Sequence, residues 1–244
     1  MRLAVFSDIH ANLEALEAFC ADAGTRRIDR YMCLGDIVGY GADPEACVVR
    51  VRSLPNIEFI LGNHDHAVVG AASSMRRDAR RVIEWTKRQL SADSLYFLQS
   101  LEVSRYWGDA LFCHANPYRP LEWYYVADKS HISRSFARSR AKILFVGHTH
   151  VAMAITRRNF FCVYLRHPRN GTIVPAAELN RQIFNCGSVG QPRDGDPCAS
   201  YLIYDSVKKS VEFIRVAYDH ATASRKIRAA GLPEVFAERL LTGT

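Results

Sequence analysis

The 244-residue sequence contains no apolar run that approaches the ~20 residues of a membrane span. Its first residues, MRLAVFSDIHAN, reach an acidic residue after only four apolar ones, whereas a signal peptide needs a longer apolar core. We therefore expect a cytoplasmic protein without a membrane anchor.

Cysteine pairs spaced C-x-x-C are also missing. The seven cysteines are an odd number, so neither a thiolate zinc site nor a disulfide framework is expected. Three of them lie inside the apolar runs YMCL, LFCH and FFCVYL, where cysteine behaves as a small buried hydrophobe. A reducing compartment is the simpler inference. The cysteines are Cys20, Cys33, Cys47, Cys113, Cys162, Cys186 and Cys198.

The chain has no internal repeat, low-complexity stretch or obvious linker. Apolar residues make up 48% and charged residues 23%, which is a globular composition. Residues 1–244 are therefore predicted to form a single domain. The net charge is +7, and much of it lies in residues 75–81 and 133–142. We interpret these segments as solvated helix faces, because no helix-turn-helix or RNA-binding signature accompanies them.

Short β-rich runs alternate with helical patterns in the first half of the chain. The predicted helices cover residues 12–24, with Asn12 as the cap and Gly24 as the stop, residues 43–53, and residues 78–90. This alternation indicates a βαβαβ unit. The predicted strands of this half are LAVF (3–6), YMCL (31–34), EFIL (58–61), ALFC (110–113) and ILFV (143–146).

The second half has closely spaced strands (FFCVYL, QIFN, SYLIYD and SVEFIRVAY) with few helices between them, which favours a mainly antiparallel sheet. Two short helices, broken at residues 231–233, are predicted at the end. A four-layer αββα arrangement around one core accommodates the whole pattern, so the predicted class is α/β (α+β).

Five of the early strands end in residues that commonly bind metals. The carboxyl ends of strands in open α/β sheets meet at a crevice, so these side chains are expected to converge there. Glycine at 35, 62 and 147 permits the close backbone approach that such a site needs. The residues at the strand ends are Asp8 and His10, Asp36, Asn63 with His64 and Asp65, His114, and His148 with His150.

Imidazole nitrogen and carboxylate oxygen suit divalent transition ions. Six or seven such ligands are too many for one tetrahedral zinc, and they suit two ions about 3.5–4 Å apart that share a carboxylate such as Asp36. A water that bridges the two ions would be acidified and could act as the nucleophile. Two divalent ions are therefore expected, with Mn first and Fe, Zn, Ni or Mg as alternatives.

The ordered motifs SDIH, LGDIVGYG, LGNHD, CHA and GHTH closely resemble the calcineurin-like metallophosphoesterase superfamily. NCGSVGQPRDGDPCASYLIYD (185–205) resembles its small prokaryotic members. The resemblance implies a sandwich of two mixed β-sheets flanked by helices. It also implies one metal on Asp8, His10, Asp36 and His150, and a second on Asp36, Asn63, His114 and His148.

The same resemblance implies that His64 does not bind metal but protonates the leaving oxygen or stabilises charge there. Asp65 is left open between orienting the turn and orienting His64. We interpret His66 as a surface or helix-start residue. The histidines outside every motif are interpreted as structural, namely His131, His167 and His220.

Gly39 and Tyr40 stand where the protein phosphatases of this superfamily have an Asp and a phosphate-binding Arg. This departure favours the phosphodiesterase-like branch and leaves the phosphate without its usual arginine. Arg193 is the candidate replacement, because a guanidinium can meet phosphate oxygens with two hydrogen bonds. The alternative is a loop arginine that pairs with Asp194 or Asp196. Tyr40 is a weaker candidate.

The expected function is metal-dependent hydrolysis of a phosphate ester, a diester rather than a monoester, with a hydroxide between two ions as the nucleophile. The substrate is expected to be a small phosphate ester or a nucleotide. The alternatives are a nuclease, for which EWYY (122–125) could supply a stacking platform, a nucleotide phosphatase, or a protein-binding scaffold of the same fold. The oligomeric state is left open.

Overall fold

The computed structural model describes residues 1–70, 76–159, 162–176 and 180–244. Within these ranges, twelve strands form two six-stranded sheets. The strands are β1 (Arg2–Phe6), β2 (Arg30–Cys33), β3 (Ile57–Phe59), β4 (Ser104–Trp107), β5 (Ala110–Cys113), β6 (Ile143–Val146), β7 (Ala152–Arg157), β8 (Val163–Arg166), β9 (Ile173–Pro175), β10 (Arg181–Cys186), β11 (Ala199–Asp205) and β12 (Ser210–Val216). The α-helices are α1 (Leu13–Gly24), α2 (Pro44–Arg52), α3 (Asn63–Val69), α4 (Arg77–Gln89), α5 (Ala92–Gln99), α6 (Lys129–Arg138), α7 (His220–Ala229) and α8 (Glu234–Thr242).

The first sheet has the order β3-β2-β1-β11-β12-β9. Its strands β1, β2 and β3 are parallel and are connected by α1 and α2, so the predicted βαβαβ unit is confirmed. The second sheet has the order β4-β5-β6-β10-β7-β8, and in it β5, β6 and β10 are parallel. The carboxyl ends of both parallel sets carry the predicted ligands.

The prediction of one mainly antiparallel sheet in the second half is wrong. The later strands do pair in antiparallel fashion, but β9, β11 and β12 complete the first sheet, whereas β7, β8 and β10 complete the second. Both sheets are therefore mixed. An alternating apolar pattern shows that a strand has a buried face but does not say which sheet it joins.

Alternating side chains of β1 serve two different cores, as the pleat of a strand requires. Phe6 points to the helix side, where its ring lies 4.3 Å from that of Phe19 on α1. Val5 points the other way and packs between the sheets with Phe145 of β6. Phe136 of α6 covers the outer face of the second sheet. The predicted helix–sheet–sheet–helix layering is confirmed.

The predicted helices are present with small shifts at their ends. Asn12 caps α1 by accepting a hydrogen bond from the backbone N–H of Ala15 (3.1 Å), as predicted. Asp43 precedes α2 but binds Lys226 instead of capping the helix. Sequence patterns missed α3, α5, β4, β7 and β9, and they indicated only the part of α6 that lies in the basic segment 133–142. Cys162 is half-buried rather than buried, and the start of its predicted strand, residues 160–161, lies outside the described residues.

The predicted break between two terminal helices is confirmed, with α7 and α8 separated by residues 230–233. Phe236 of α8 packs with Ile227 of α7 and Val82 of α4, and Tyr40 lies against the same cluster. The end of the chain therefore reaches the loop that follows β2. Among the described residues, no helix has the length and apolar character needed to cross a membrane.

Candidate metal centre

The predicted ligands converge at one edge of the two sheets. Asp8, Asp36 and Asn63 follow β1, β2 and β3 of the first sheet, and the histidines at 114, 148 and 150 follow β5 and β6 of the second. The backbone N–H of His148 donates to the Asp8 Oδ2 atom (2.9 Å), which joins the two sheet ends directly. The site is therefore built between the sheets, not at the edge of one.

The backbone at this edge is held in an unfavourable conformation. Five of the seven predicted ligands have a positive φ, between 49° and 66°. A non-glycine residue in the left-handed region costs about 1–2 kcal/mol, and such strain concentrates at functional sites. Hydrogen bonds between the β1 and β2 loops hold it in place, including Asp8 N–H to Gly35 O (3.0 Å) and His10 N–H to Asp36 O (2.9 Å). The five residues are Asp8, His10, Asp36, His148 and His150.

The first group of candidate ligands consists of Asp8, His10 and His150, all buried. The Asp8 Oδ1 atom lies 3.6 Å from His10 Nε2 and 3.3 Å from His150 Nε2. Although this oxygen is buried, it has no hydrogen-bond partner among the described residues. A buried carboxylate oxygen of this kind fits a cation.

The second group consists of Asp36, His114 and His148. His114 Nε2 lies 3.1 Å from His148 Nδ1 and 3.0 Å from the Oδ1 atom of Asn63. Asp36 lies between the two groups, since its Oδ2 atom is 3.4 Å from His114 Nε2 and 3.7 Å from His10 Nε2. A single carboxylate oxygen therefore faces both groups of ligands.

Backbone carbonyls fix the orientation of the histidines in both groups. In the first group, the Nδ1 atoms of His10 and His150 donate to Val38 O (3.2 Å) and Gln191 O (2.6 Å). The Nε2 atoms of the two rings then face each other at 3.1 Å, and two nitrogen lone pairs at this distance repel unless a cation or proton lies between them. This chemistry of the donor atoms fits a divalent metal ion.

The second group is held in the same way. His114 Nδ1 donates to Leu34 O (2.8 Å), and His148 Nε2 donates to Trp123 O (2.8 Å). The rings therefore turn His114 Nε2 and His148 Nδ1 towards Asp36. His148 thus uses the opposite ring nitrogen from the other histidines, because its carbonyl partner comes from the loop before α6.

Burial sets the charge of these groups. It lowers the pKa of His148 to about 3 and that of His150 to about 4, so both rings are neutral and can act as ligands at pH 7. Burial opposes charge on His114 as well, but attraction to Asp36 prevails and raises its pKa to about 9. Burial alone would raise the pKa of the Asp8 carboxyl, yet the neighbouring His150 and His10 hold it well below its usual range.

His64 lies beside the second group and lines the open cavity. Its backbone N–H donates to Asp36 Oδ1 (2.8 Å), and burial keeps the pKa of its ring well below the usual range. Its Nδ1 atom has no partner among the described residues. His64 also lies within reach of His10 and Asp36, but the ligand atoms of both residues already face the two groups described above.

Asp65, which sequence analysis left open, orients the turn. It is fully buried, and its carboxylate accepts hydrogen bonds from the backbone N–H groups of Ile37 (2.9 Å), Val38 (3.3 Å) and Gly62 (3.2 Å). Burial and the nearby Asp36 raise its pKa to about 7. Asp65 thereby joins the loops after β2 and β3.

The close approach predicted at the glycines is confirmed. A Cβ atom at Gly62 would lie 2.1 Å from Asp36 N, and one at Gly35 would lie 2.3 Å from Gly62 N. A Cβ atom at Gly147 would lie 2.4 Å from the Ser7 hydroxyl oxygen. The three loops can pack together only because no side chain intervenes.

A cavity of about 680 Å³ opens above the metal centre. The rings of Tyr40 and His64 are 4.4 Å apart, and the Arg193 guanidinium lies 5.5 Å from the Tyr40 ring centre. The alternative pairing of Arg193 is wrong, because Asp194 and Asp196 face Arg215 instead.

Trp123 and Tyr125 form part of the cavity wall. Tyr125 stacks on His148 with ring centres 4.4 Å apart. The EWYY segment therefore contributes to the wall of the cavity. Sequence patterns missed Phe236 and Arg239 of α8, which also line the cavity and lie about 90 residues beyond the last ligand motif. No local motif marks them.

His66 lies near the start of α3, which agrees with the helix-start interpretation, and it is half-buried and lines the cavity 5.8 Å from the Trp123 ring. The other histidines outside the motifs have structural contacts. His131 stacks on Tyr124 (4.9 Å). The rings of His167 and His220 lie within 3.3 Å and 3.1 Å of backbone carbonyl oxygens.

Comparison with known proteins defines the class. Residues 1–209 match the model of the calcineurin-like phosphoesterase superfamily domain. The chain is 38% identical to the uncharacterized protein MJ0912 of Methanocaldococcus jannaschii, over 99% of this chain and 98% of that protein. A metallophosphoesterase from Sphaerobacter thermophilus has the same fold, with a TM-score of 0.90 and 42% identity over 100% of this chain and 99% of its own.

A hypothetical protein from Pyrococcus horikoshii, PH1004, is similar in fold alone, with a TM-score of 0.79 and 18% identity over 100% and 98% of the two chains. The chain belongs to the calcineurin-like phosphoesterase superfamily. It is a metal-dependent hydrolase of phosphate esters.

Proposed function

We propose that this protein is a phosphodiesterase that binds two divalent ions, with Mn as the first choice, and acts on a small phosphate ester or nucleotide. The single observation that supports it best is the position of Asp36 Oδ2, which faces His10 of one ligand group and His114 of the other. A carboxylate oxygen between two ligand sets suits a pair of ions better than one.

The proposed ligands of the first ion are Asp8, His10, Asp36 and His150, and those of the second are Asp36, Asn63, His114 and His148. The chemistry that two such ions supply when bound is acidification of the attacking water and neutralisation of charge on the phosphoryl oxygens. The hydrogen bonds that orient the histidine rings and the strained loops hold the ligands in place for this purpose, and His114, whose pKa is raised to about 9, releases a proton when an ion binds.

His64 is proposed to serve the leaving group. Its ring lines the cavity, so it can donate a proton to the leaving oxygen or stabilise charge there. Arg193 is proposed to hold a phosphoryl oxygen, because its guanidinium lines the cavity beside Tyr40. Tyr40 is proposed to position His64 and Arg193 through its ring.

The preference for a diester rests on Gly39 and Tyr40. These residues stand where the resemblance to protein phosphatases would place a carboxylate and an arginine, and an arginine there would suit the doubly charged phosphate of a monoester. A diester carries one negative charge and needs less cationic support beside the metals.

The test is hydrolysis of bis(p-nitrophenyl) phosphate beside p-nitrophenyl phosphate. Chelator-stripped protein is assayed alone and with Mn²⁺, Mg²⁺, Zn²⁺ or Ni²⁺ added back. We expect turnover only with metal, and a higher kcat/KM for the diester. A higher value for the monoester would contradict the diester preference. Absence of turnover on both esters, with two ions bound per chain, would contradict the enzymatic function and favour a scaffold.

A further inference from the structure

The cavity extends from the metal centre along an aromatic column formed by His64, Tyr40 and Phe236. The ring centres of His64 and Tyr40 are 4.4 Å apart, and those of Tyr40 and Phe236 are 4.6 Å apart. A guanidinium accompanies each of the last two rings. Arg193 Cζ lies 5.5 Å from the centre of Tyr40, and Arg239 Cζ lies 5.8 Å from that of Phe236.

The charges of these two arginines are not neutralised within the described part of the chain. Neither Arg193 nor Arg239 has a carboxylate oxygen within 4.0 Å among those residues, and the neighbouring Asp194 is paired with Arg215. Arg193 donates from Nη2 to Gln191 Oε1 (2.8 Å), but its buried Nε–H has no acceptor there. Half-buried cations without a counter-ion destabilise a fold, so an anion from outside is the natural partner.

Arg193 and Arg239 line the same cavity and are close enough to affect each other electrostatically. Burial, followed by the charge of Arg193, lowers the pKa of Arg239. Both line the cavity above the metal centre. Arg76 lines it too, so three arginines outnumber the two carboxylates of the lining, Asp78 and Glu122, and Glu122 is engaged by Arg119 (3.0 Å). The end of the cavity near α8 therefore favours a negatively charged group.

The position of His64 in the aromatic column indicates which part of the substrate the two arginines would contact. His64, which is proposed to serve the leaving oxygen, forms its first ring, so the arginines lie on the side to which the leaving group departs. Guanidinium groups bind phosphate oxygens with paired, charge-assisted hydrogen bonds. A volume of about 680 Å³ falls within the range of sites that bind ligands of nucleotide size.

Resting on the proposed function, we propose that Arg239, next to the phosphate-binding Arg193, provides a second anion site on the leaving-group side, so that the substrate carries a further phosphate on its leaving group. Hydrolysis then adds water across the scissile P–O bond, and the departing group keeps its own phosphate and takes up one proton. Arg239 and Phe236 lie beyond residues 1–209, so this site depends on a helix outside the match to the family model.

The test compares two dinucleotides whose leaving groups differ by one phosphate. Water adds across the phosphoanhydride bond of diadenosine diphosphate to release AMP, and across the phosphodiester bond of adenylyl-adenosine to release a nucleoside. Each is assayed with the wild-type protein, with Arg239→Gln and with Arg225→Gln, which removes an exposed arginine of α7 outside the cavity. The ratio of kcat/KM for the two substrates is compared between each variant and the wild-type protein, which cancels the difference in their intrinsic reactivity.

We expect Arg239→Gln to lower kcat/KM for diadenosine diphosphate at least about tenfold more than for adenylyl-adenosine, because one charged hydrogen-bonding partner is lost. Arg225→Gln should leave the ratio within about twofold of the wild-type value, which shows that general charge is not responsible. An equal loss on both substrates in Arg239→Gln would overturn the second anion site.

If the proposed function is wrong, the second anion site can still be tested by a binding measurement that does not depend on hydrolysis. If the wild-type protein hydrolyses neither dinucleotide, titration calorimetry of pyrophosphate and orthophosphate against chelator-stripped protein still tests the site. We then expect pyrophosphate to bind about tenfold more tightly than orthophosphate in the wild-type protein, and the difference to disappear in Arg239→Gln. Equal affinities in the wild-type protein would overturn the proposal.

Discussion

The His64 ring occupies the space that a side chain at Gly39 would need. A Cβ atom at position 39 would lie 2.3 Å from His64 Nδ1 and 3.0 Å from its Cγ. The same position has φ +92°, which a residue with a side chain rarely adopts. Where the resemblance to protein phosphatases would place an aspartate, this chain therefore brings its histidine directly against backbone.

Gly39→Ala should displace the His64 ring and lower kcat by at least about tenfold, with the metal content unchanged. The control is Gly171→Ala, which has a similar φ of +75° but no atom within 4 Å of the added Cβ. It should show a comparable backbone cost of about 1–2 kcal/mol without loss of activity. Full activity in Gly39→Ala would contradict the importance of this contact.

His64→Ala should separate chemistry from metal binding. Because His64 is proposed to serve only the leaving group, kcat should fall by about 10²–10⁴-fold while elemental analysis still finds two ions per chain. Asp36→Ala should lose both activity and metal, since its Oδ2 atom faces both ligand groups. His167→Ala, which lies outside the ligand groups, is the control. Loss of metal from His64→Ala would instead make His64 a ligand.

Gly62→Ala should disrupt the metal centre through Asp36, because the new Cβ would lie 2.2 Å from Asp36 Oδ1. We expect weaker metal binding, measured by titration with Mn²⁺. Gly24→Ala is a matched control, since no atom lies within 4 Å of its added Cβ and its φ is not positive. Unchanged metal affinity in Gly62→Ala would show that Asp36 can move without leaving the site.

Metal removal should destabilise the fold. At a free metal concentration of about 100 Kd, each bound ion contributes about 2.7 kcal/mol, which for a chain of this size corresponds to a Tm increase of roughly 5–10 °C per ion. Calorimetry with and without chelator measures it. The chelator should not change the Tm of Asp36→Ala, because that variant starts without metal. An unchanged Tm in the wild-type protein would indicate that no ion is bound in the first place.

The fold class and the position of the candidate ligands at strand ends were predictable because they depend on local patterns. Each motif follows a short apolar strand, and glycine marks the turn in three of the five. The positive φ of residues such as Asp8 and His148 could not be predicted, since it results from hydrogen bonds between loops distant in sequence. The assignment of the later strands to two sheets and the contribution of Arg239 are long-range effects for the same reason.

All seven proposed ligands lie within the first 150 residues, yet their geometry depends on residues made much later. Ser188 and Gly190 donate hydrogen bonds to Asp8 O (both 2.8 Å), and Gln191 O accepts from His150 Nδ1. Strand β1 itself has β11 as its second neighbour. During synthesis, all seven proposed ligand residues are therefore present in the chain well before the residues that fix their geometry have been made. Metal capture is coupled to completion of the sheet, a late step in folding that joins distant segments.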